Sequence, residues 1–271
     1  MSLRIQNNIE AFNAHRQLVG TSTKLSKSME RLSSGYRINR ASDDAAGLAI
    51  SEKLRAQISS LAQAQRNGQD AISLVQTAEG ALAEVHSMLQ RVRDLAIQFN
   101  NGTLSTADKA AITSEVSQLS AEIARIGADT KFNGIKLLTG GASITFQVGA
   151  DDGQTLVVSA ITLFNASNAE IDPAMLDFNG TVSLASLDQA IENVSQVRST
   201  FGSVQNRLEH TLNSLATYEE NLQASESRIR DVDMAAEMVE FTKLQILQQA
   251  GTSMLAQANQ TPQSVLSLLR G

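Results

Sequence analysis

The chain has 271 residues, a formal net charge of -6, 42% hydrophobic and only 4% aromatic residues, two prolines and no cysteine. This length can bury a large core in one or two domains. The net negative charge argues against nucleic-acid binding. The chain has few aromatic residues with which to line a ligand pocket or to stack on bases. The lack of cysteine excludes disulfides, thiolate metal sites and cysteine nucleophiles. The rarity of proline favours long, uninterrupted helices.

The N-terminal region has the spacing of an amphipathic helix. Its apolar residues are Ile5, Ile9, Phe12, Leu18, Leu25, Met29 and Leu32. The first residues lack the apolar segment and small-residue cleavage site of a secretory signal peptide, so we expect no cleaved signal. No apolar run reaches the roughly 18 residues that a membrane helix needs, so we also expect no membrane insertion.

A long helix is predicted to begin near Ala45, after the N-capping sequence Ser42–Asp44. From Val75 to Phe99 its apolar residues keep a strict three-four spacing, which places them on one face. We expect Gly68 to mark an irregularity before that face begins.

Two further helices show apolar faces of the same pitch, from Ile112 to Ile126 and from Leu184 to Leu222. Ser105, with Asp108 three residues later, resembles a capping box ahead of the first of them. Three such faces can bury one another as a bundle.

Between these helices the composition changes. Residues 143–161 contain two runs rich in β-branched side chains, separated by Gly149–Gly153. This pattern predicts a small β-hairpin.

The C-terminal segment from Leu244 to Leu269 has 26 residues, six of them glutamine, and none charged. The glutamines argue against a bilayer. An uncharged amphipathic helix suits a dry, packed site between copies of itself, where a charge would meet its own repeat. Burial within its own domain explains the pattern equally well. We expect Thr261 and Pro262 to open a separate short helix at the end.

Neither terminal helix can bury its apolar face alone, so each must pair with the other, with the bundle or with other molecules. The predicted fold is therefore mainly α. It is a long helical bundle or coiled coil with paired N- and C-terminal helices, plus one small β-hairpin at about 143–161. We assign residues 1–42 with 226–271 to a terminal coiled-coil domain and residues 43–225 to a helical domain.

No constellation in the sequence supports catalysis. His15, His86 and His210 fall on three different predicted helices, and none has a metal-ligand spacing. Asp43 fits a helix cap, and Asp151 fits a turn. Neither a phosphate-binding loop nor a nucleophile elbow is present. We therefore predict a protein that is not an enzyme and has no cofactor.

Four long blocks of the sequence closely resemble bacterial flagellin. They begin with MERLSSGYRINR at Met29, GQDAISLVQTAEG at Gly68, QNRLEHTLNSL at Gln205 and ESRIRDVDMAAE at Glu226. The likeness covers about residues 1–140 and 185–271. The chain resembles a short flagellin without the outer variable domains. This implies a terminal coiled coil at the filament core and a helical shell domain that carries the hairpin.

The resemblance also implies a function. Flagellins self-assemble into the propeller filament of swimming bacteria and leave the cell through the flagellar type III export channel, so the expected location is extracellular. The implied partners are copies of the chain itself, filament cap and hook-junction proteins, and an export chaperone. A hook–filament junction protein and, in another class, a cytoplasmic helical adaptor are the alternatives.

Candidate functional residues follow from the terminal helices and from the resemblance. For polymerisation and core packing they are Ile5, Ile9, Phe12, Met238, Phe241, Leu247, Met254, Leu255, Leu266 and Leu269. For the chaperone-binding face they are Phe241, Leu244, Leu247, Val265 and Leu268.

Some flagellins are bound by Toll-like receptor 5 of animal hosts. The matching positions here are Gln90, Arg91, Leu95, Gln98 and Glu115. An arginine with a polar rim and a leucine is a plausible binding hot spot. A solvated helix face that also contacts neighbouring subunits is the alternative.

Overall fold

The computed structural model describes residues 8–140, 142–159, 161–163, 171, 178 and 183–270, with 261–270 described as helix backbone only. The elements, in chain order, are α1 Ile9–Ser34, α2 Ala45–Phe99, α3 Thr106–Asp129, β1 Lys131–Phe132, β2 Ile135–Lys136, β3 Ile144–Gln147, β4 Thr155–Val158, α4 Leu184–Arg230 and α5 Met234–Arg270. The mainly helical fold with paired terminal helices and a small hairpin is confirmed.

The chain divides into two compact units, one formed by 1–56 with 221–271 and the other by 57–220. Both boundaries fall inside helices, within α2 and α4. The sequence predicts borders at 42/43 and 225/226 instead. Helix α2 starts at Ala45, and its first turns belong to the first unit.

In the first unit α1 packs antiparallel along α5. The N-terminal end of α1 meets the C-terminal half of α5, where Asn8 Nδ2 donates to the Ala258 carbonyl at 2.7 Å. Asn8 also caps α1, since its Oδ1 accepts from the Ala11 N–H. At the other end Arg31 lies 3.5 Å from Glu237.

The α1–α5 seam is formed mainly by small and apolar side chains at three-four spacing. On α5 the partly or fully buried positions among residues 234–260 are Glu237, Glu240, Phe241, Leu244, Gln248, Gly251, Leu255 and Ala258. A Cβ at Gly251 would lie 3.2 Å from Leu18 Cδ1, so glycine lets the two helices approach closely there.

A single core holds the second unit together. It contains the α2 residues between Ala71 and Phe99, the inner faces of α3 and α4, and both strands of the β3–β4 hairpin. The predicted face from Val75 to Phe99 is buried along its whole length. Each fully buried Leu or Val on this face stabilises the fold by roughly 1.5–3 kcal/mol, so packing outweighs helix propensity here.

Local signals in the sequence account for several element ends. Asp44 Oδ1 accepts from the Gly47 N–H at 2.8 Å and caps α2. Ser105 and Asp108 form the predicted capping box at the start of α3. Gly35, at φ 75°, ends α1 in the left-handed conformation that glycine tolerates.

Strands β3 and β4 pair antiparallel, with Ile144 opposite Val158, so the predicted hairpin is confirmed. A second, two-residue hairpin, β1–β2, was not predicted. Its turn residues, Asn133 and Gly134, both have positive φ, as a type I′ turn requires. This Asn-Gly pair is the sequence signal from which the β1–β2 hairpin could have been predicted.

Two predicted breaks are wrong. Helix α2 runs unbroken through Gly68, where a Cβ would lie 2.7 Å from Leu212 Cδ2, so this glycine makes room for α4. Helix α5 continues past Thr261 and Pro262 to Arg270, and no separate terminal helix forms. Among the described residues, no helix is both long and apolar enough to cross a bilayer.

Candidate assembly surfaces

The outer faces of α1 and α5 carry most of the large hydrophobic side chains that the described part of the chain exposes. On α1 these are Ile9, Phe12, Val19 and Met29, and on α5 they are Met234, Met238, Val239, Ile246, Leu247 and Met254. We call these ten residues the terminal apolar surface. Phe12 and Val239 are each 70% exposed. Such a concentration of exposed apolar side chains marks an interaction site.

Helix geometry explains why this surface is left uncovered. Val239 and Ile246 are seven residues apart and therefore share one face of α5. That face points away from the seam with α1, which uses Leu244, Leu255 and their neighbours. One helix pair can cover only one face of each helix, so a second apolar face needs another partner.

The structure separates the residues predicted for polymerisation into two sets. Ile9, Phe12, Met238, Leu247 and Met254 are exposed on the terminal apolar surface. Phe241 and Leu255 are half-buried in the seam.

The remaining predicted residues of the terminal helices divide differently. Leu244, in the predicted chaperone face, is only 4% exposed. Ile5 and the side chains of Val265, Leu266, Leu268 and Leu269 lie outside the described residues.

The segment between α1 and α2 is held by a network of polar contacts around Asp43. Its Oδ2 accepts from the backbone N–H groups of Asn39 and Arg40, and its Oδ1 lies 2.7 Å from Lys27 Nζ. The hydrogen bond from Lys27, followed by that from the Arg40 backbone, lowers the pKa of Asp43 from 3.8 to about 2. This carboxylate therefore ties the loop to α1.

A second set of contacts joins the end of α1 to the end of α4. The Val232 N–H donates to the Gly35 carbonyl at 3.0 Å, and the Arg37 N–H donates to the Arg230 carbonyl at 2.7 Å. Tyr36 and Asp231 form an antiparallel bridge. These bonds hold the turn that follows α1 beside the turn between α4 and α5.

The Arg230 side chain reinforces that junction. Its guanidinium lies 4.8 Å from the centre of the Tyr36 ring, and Nη1 lies 2.7 Å from Glu52 Oε1. The hydrogen bond from Arg230 lowers the pKa of Glu52. Arg230 thus links α2, α4 and the segment after α1 within the first unit.

On the second unit, Arg91 and Glu115 form an exposed ion pair between α2 and α3. Arg91 Nε and Nη2 lie 2.9 and 2.8 Å from the same oxygen, Glu115 Oε1. Gln90 and Gln98 are also exposed. The structure therefore brings these members of the predicted receptor patch to the surface.

Leu95 does not belong to that surface. It is 2% exposed and lies in the core of the second unit. The resemblance alone placed it in the receptor patch, but the helix periodicity puts it beside Ala96 and Val92 on the inward face of α2. Ile97, six residues after Arg91 on the same helix, is 48% exposed.

Over the ranges that the structure describes, no group of three His, Asp or Glu side chains lies close enough to hold a metal ion. His86 Nε2 lies 2.9 Å from Gln90 Nε2, within one helix face. The carboxylates of Asp43 and Asp44 accept hydrogen bonds from backbone N–H groups. In the hairpin turn the Asp151 carbonyl accepts a hydrogen bond from the Gln154 N–H.

Comparison with known proteins matches nearly all of the helical sequence. The family model of the bacterial flagellin N-terminal helical region matches residues 5–143, and that of the C-terminal helical region matches residues 184–269. A flagellin of Halalkalibacterium halodurans is 53% identical, with 98% of this chain and 99% of that protein covered. A flagellin of Bacillus subtilis is 47% identical, with 99% and 100% covered.

A solved structure shares the fold at much lower sequence identity. It is a putative flagellar hook-associated protein from Vibrio parahaemolyticus, 17% identical, with a TM-score of 0.59, covering 70% of this chain and all of that one. At this identity the likeness concerns the fold alone.

The paired terminal helices, the helical second unit and the uncovered apolar faces define a structural protein of the filament-forming class. The chain belongs to the bacterial flagellin family. It is a subunit of the bacterial flagellar filament.

Proposed function

We propose that the terminal apolar surface is the contact through which copies of this chain polymerise. The observation that carries this proposal is the exposure of ten large hydrophobic side chains on α1 and α5, on faces that the α1–α5 seam leaves uncovered. Burying them between subunits would contribute roughly 25 cal/mol for each Å² of apolar area removed from water.

The absence of charge from Leu244 to Leu269 supports the same proposal. In a helical polymer each position meets a related position on the neighbouring copy. A charge there would be repeated at every contact and would be buried without a partner. Contacts between different patches on each copy permit unlimited growth when the rotation between copies does not close a ring.

The export partners are a further part of the proposal. A chaperone that holds Phe241, Leu244, Leu247, Val265 and Leu268 before secretion would have to separate α5 from α1. Leu244 is buried in that seam. Passage through the flagellar type III channel, an extracellular location and contacts with filament cap and hook-junction proteins complete this proposal.

The exposed Arg91–Glu115 pair supports a receptor contact on the second unit, with Gln90 and Gln98 at its rim. Toll-like receptor 5 is the partner we propose. Arg91→Ala should weaken receptor signalling while leaving the thermal unfolding temperature unchanged. Arg125→Ala removes a similarly exposed arginine with its own ion pair on α3, and it serves as the control. Equal signalling by wild type and Arg91→Ala would refute this contact.

Seeded polymerisation tests the assembly surface. We expect purified protein, mixed with sonicated filament fragments, to form fibres visible by electron microscopy, and a chain truncated after Lys243 to form none. Circular dichroism should show that the truncated chain keeps most of its helicity, because the core of the second unit lies between Ala71 and Leu208. Normal filaments from the truncated chain would refute the role of α5.

A pair of point variants locates the contact more sharply. Ile246→Glu places a charge on the outer face of α5, and Ile246→Leu retains an apolar side chain there. The glutamate variant should polymerise far less than the leucine variant at equal helicity. Discrete small oligomers of the wild type under these conditions would favour the adaptor hypothesis, and fibres only on hook fragments would favour a junction protein.

A further inference from the structure

The methionines of the chain are unevenly exposed. Of the five whose side chains the structure describes, Met29, Met234, Met238 and Met254 are all about half or more exposed. All four lie in the first unit, on the outer faces of α1 and α5. Met88 is partly buried against the core of the second unit. About half or more of each of the first four residues is therefore open to solvent.

An exposed thioether reacts with peroxide in a balanced two-electron step. The sulfur takes one oxygen atom from hydrogen peroxide and is oxidised to the sulfoxide. The O–O bond breaks, and the peroxide is reduced to water. The product replaces a flexible apolar side chain with a polar one that needs a hydrogen-bond donor.

The positions of the four sulfurs determine what this change does. Met234 and Met238 are four residues apart and share one face at the start of α5. Met254 follows Leu247 by seven residues on another exposed stripe, and Met29 lies on α1. Because each of the four is about half or more exposed, we expect oxidation to alter the terminal apolar surface and to leave the fold of the free chain intact.

We propose that these four methionines form a peroxide-sensitive modification site that controls addition of free subunits. This inference rests on the proposed assembly through the terminal apolar surface. In a free chain the sulfurs are open to the oxidant, and their sulfoxides bring unpaired acceptors into the subunit contact. In an assembled filament the same contact shields them. Oxidant therefore stops growth and leaves existing filament in place.

The test compares oxidised and untreated protein within each variant. Monomer is treated with hydrogen peroxide, the oxidant is removed by catalase, and the sulfoxide positions are located by peptide mass spectrometry. The critical concentration for seeded polymerisation is then measured. The variants are the fourfold Met29→Leu, Met234→Leu, Met238→Leu and Met254→Leu chain and, as control, Met88→Leu. Leucine has a similar volume and cannot be oxidised.

In the wild type and in Met88→Leu we expect treatment to raise the critical concentration about tenfold or more, because unsatisfied acceptors enter the contact. In the fourfold variant the ratio of treated to untreated protein should stay close to one. Filaments treated after assembly should carry less sulfoxide at these positions than treated monomer. Circular dichroism should show the same helicity before and after treatment.

Several outcomes would overturn the proposal. One is unchanged polymerisation of wild type that carries sulfoxide at these four positions, and another is equal inhibition of the fourfold variant. Oxidation that lowers the helicity of the monomer would mean damage to the fold rather than to the contact. Failure of untreated wild type to polymerise on seeds would instead refute the proposed assembly function itself.

Discussion

Lys27 Nζ lies 2.7 Å from Asp43 Oδ1, an ion pair that spans sixteen residues of sequence and ties the last turns of α1 to the loop before α2. The same carboxylate accepts from the backbone N–H groups of Asn39 and Arg40. One side chain therefore holds both the loop and its attachment to α1. Its charge is needed for the ion pair with Lys27 and strengthens the two backbone hydrogen bonds.

Asp43→Asn should lower the thermal unfolding temperature of the monomer at neutral pH and reduce its pH dependence. The folded-state pKa of Asp43 is about 2 and its ordinary value is 3.8. The carboxylate therefore stabilises the fold fully above 3.8, and this stabilisation is lost as the pH falls from 3.8 towards 2. The difference between variant and wild type should shrink over that range.

Thermal unfolding followed by circular dichroism at a series of pH values measures this difference. Asp152→Asn removes one negative charge from an exposed residue in the turn of the β3–β4 hairpin, so it controls for net charge. A gap between Asp43→Asn and wild type that stays constant down to pH 2 would contradict the assigned role of the carboxylate.

Two glycines within α2 should respond oppositely to alanine. A Cβ added at Gly80 would meet no heavy atom of a neighbouring element within 4 Å, whereas a Cβ at Gly68 would lie 2.7 Å from Leu212 Cδ2. Gly80→Ala should raise the free energy of unfolding by about 0.5–1 kcal/mol, because alanine is the better helix former. Gly68→Ala should gain less or lose stability, because Leu212 must move.

Denaturant unfolding of the two variants, followed by circular dichroism, gives the comparison. Because both substitutions are the same and lie in one helix of the second unit, helix propensity cancels in their difference. Equal stabilisation by both alanines would show that Leu212 does not limit the approach at Gly68.

The capping box of α3 offers a third measurement. The Asp108 N–H donates to Ser105 Oγ, and Asp108 Oδ2 accepts from the Ser105 N–H. Ser105→Ala should cost about 0.5–2 kcal/mol of the free energy of unfolding, as loss of an N-cap does. Ser117→Ala, on the exposed face of the same helix, should cost nothing, because alanine is the better helix former. Equal stability of the two variants would contradict the cap.

Much of the fold was predictable because its signals are local. The capping box needs only Ser105 and Asp108, and the inward face of α2 follows from spacing alone. The hairpin at β3–β4 was visible in its β-branched runs and the glycines between them. Such features depend on neighbours within a few residues, so a single sequence contains them.

The contacts that could not be predicted depend on distant partners. Leu18 and Phe12 belong to one amphipathic helix, yet Leu18 lies in the seam and Phe12 is exposed, because the position of α5 decides which face is covered. Gly68 looked like a break because its partner, Leu212, lies 144 positions away in the chain numbering. The role of Asp43 required the fold of the whole loop.

Leu95 and Ile97 distinguish a surface role from a core role at the end of α2. Leu95 is 2% exposed and Ile97 is 48% exposed. Leu95→Ala should lower the free energy of unfolding by about 2–5 kcal/mol, because it leaves a cavity in the core. Ile97→Ala should change it by less than about 0.5 kcal/mol, as surface substitutions do.

Denaturant unfolding of both variants measures these values, and receptor signalling assayed on the same samples interprets them. A loss of signalling in Leu95→Ala that parallels its loss of folded protein is an effect of stability. A loss in Ile97→Ala at unchanged stability would instead extend the receptor contact to the exposed side of α2 that carries Ile97. Small costs for both substitutions would contradict the burial of Leu95 and return it to the surface patch.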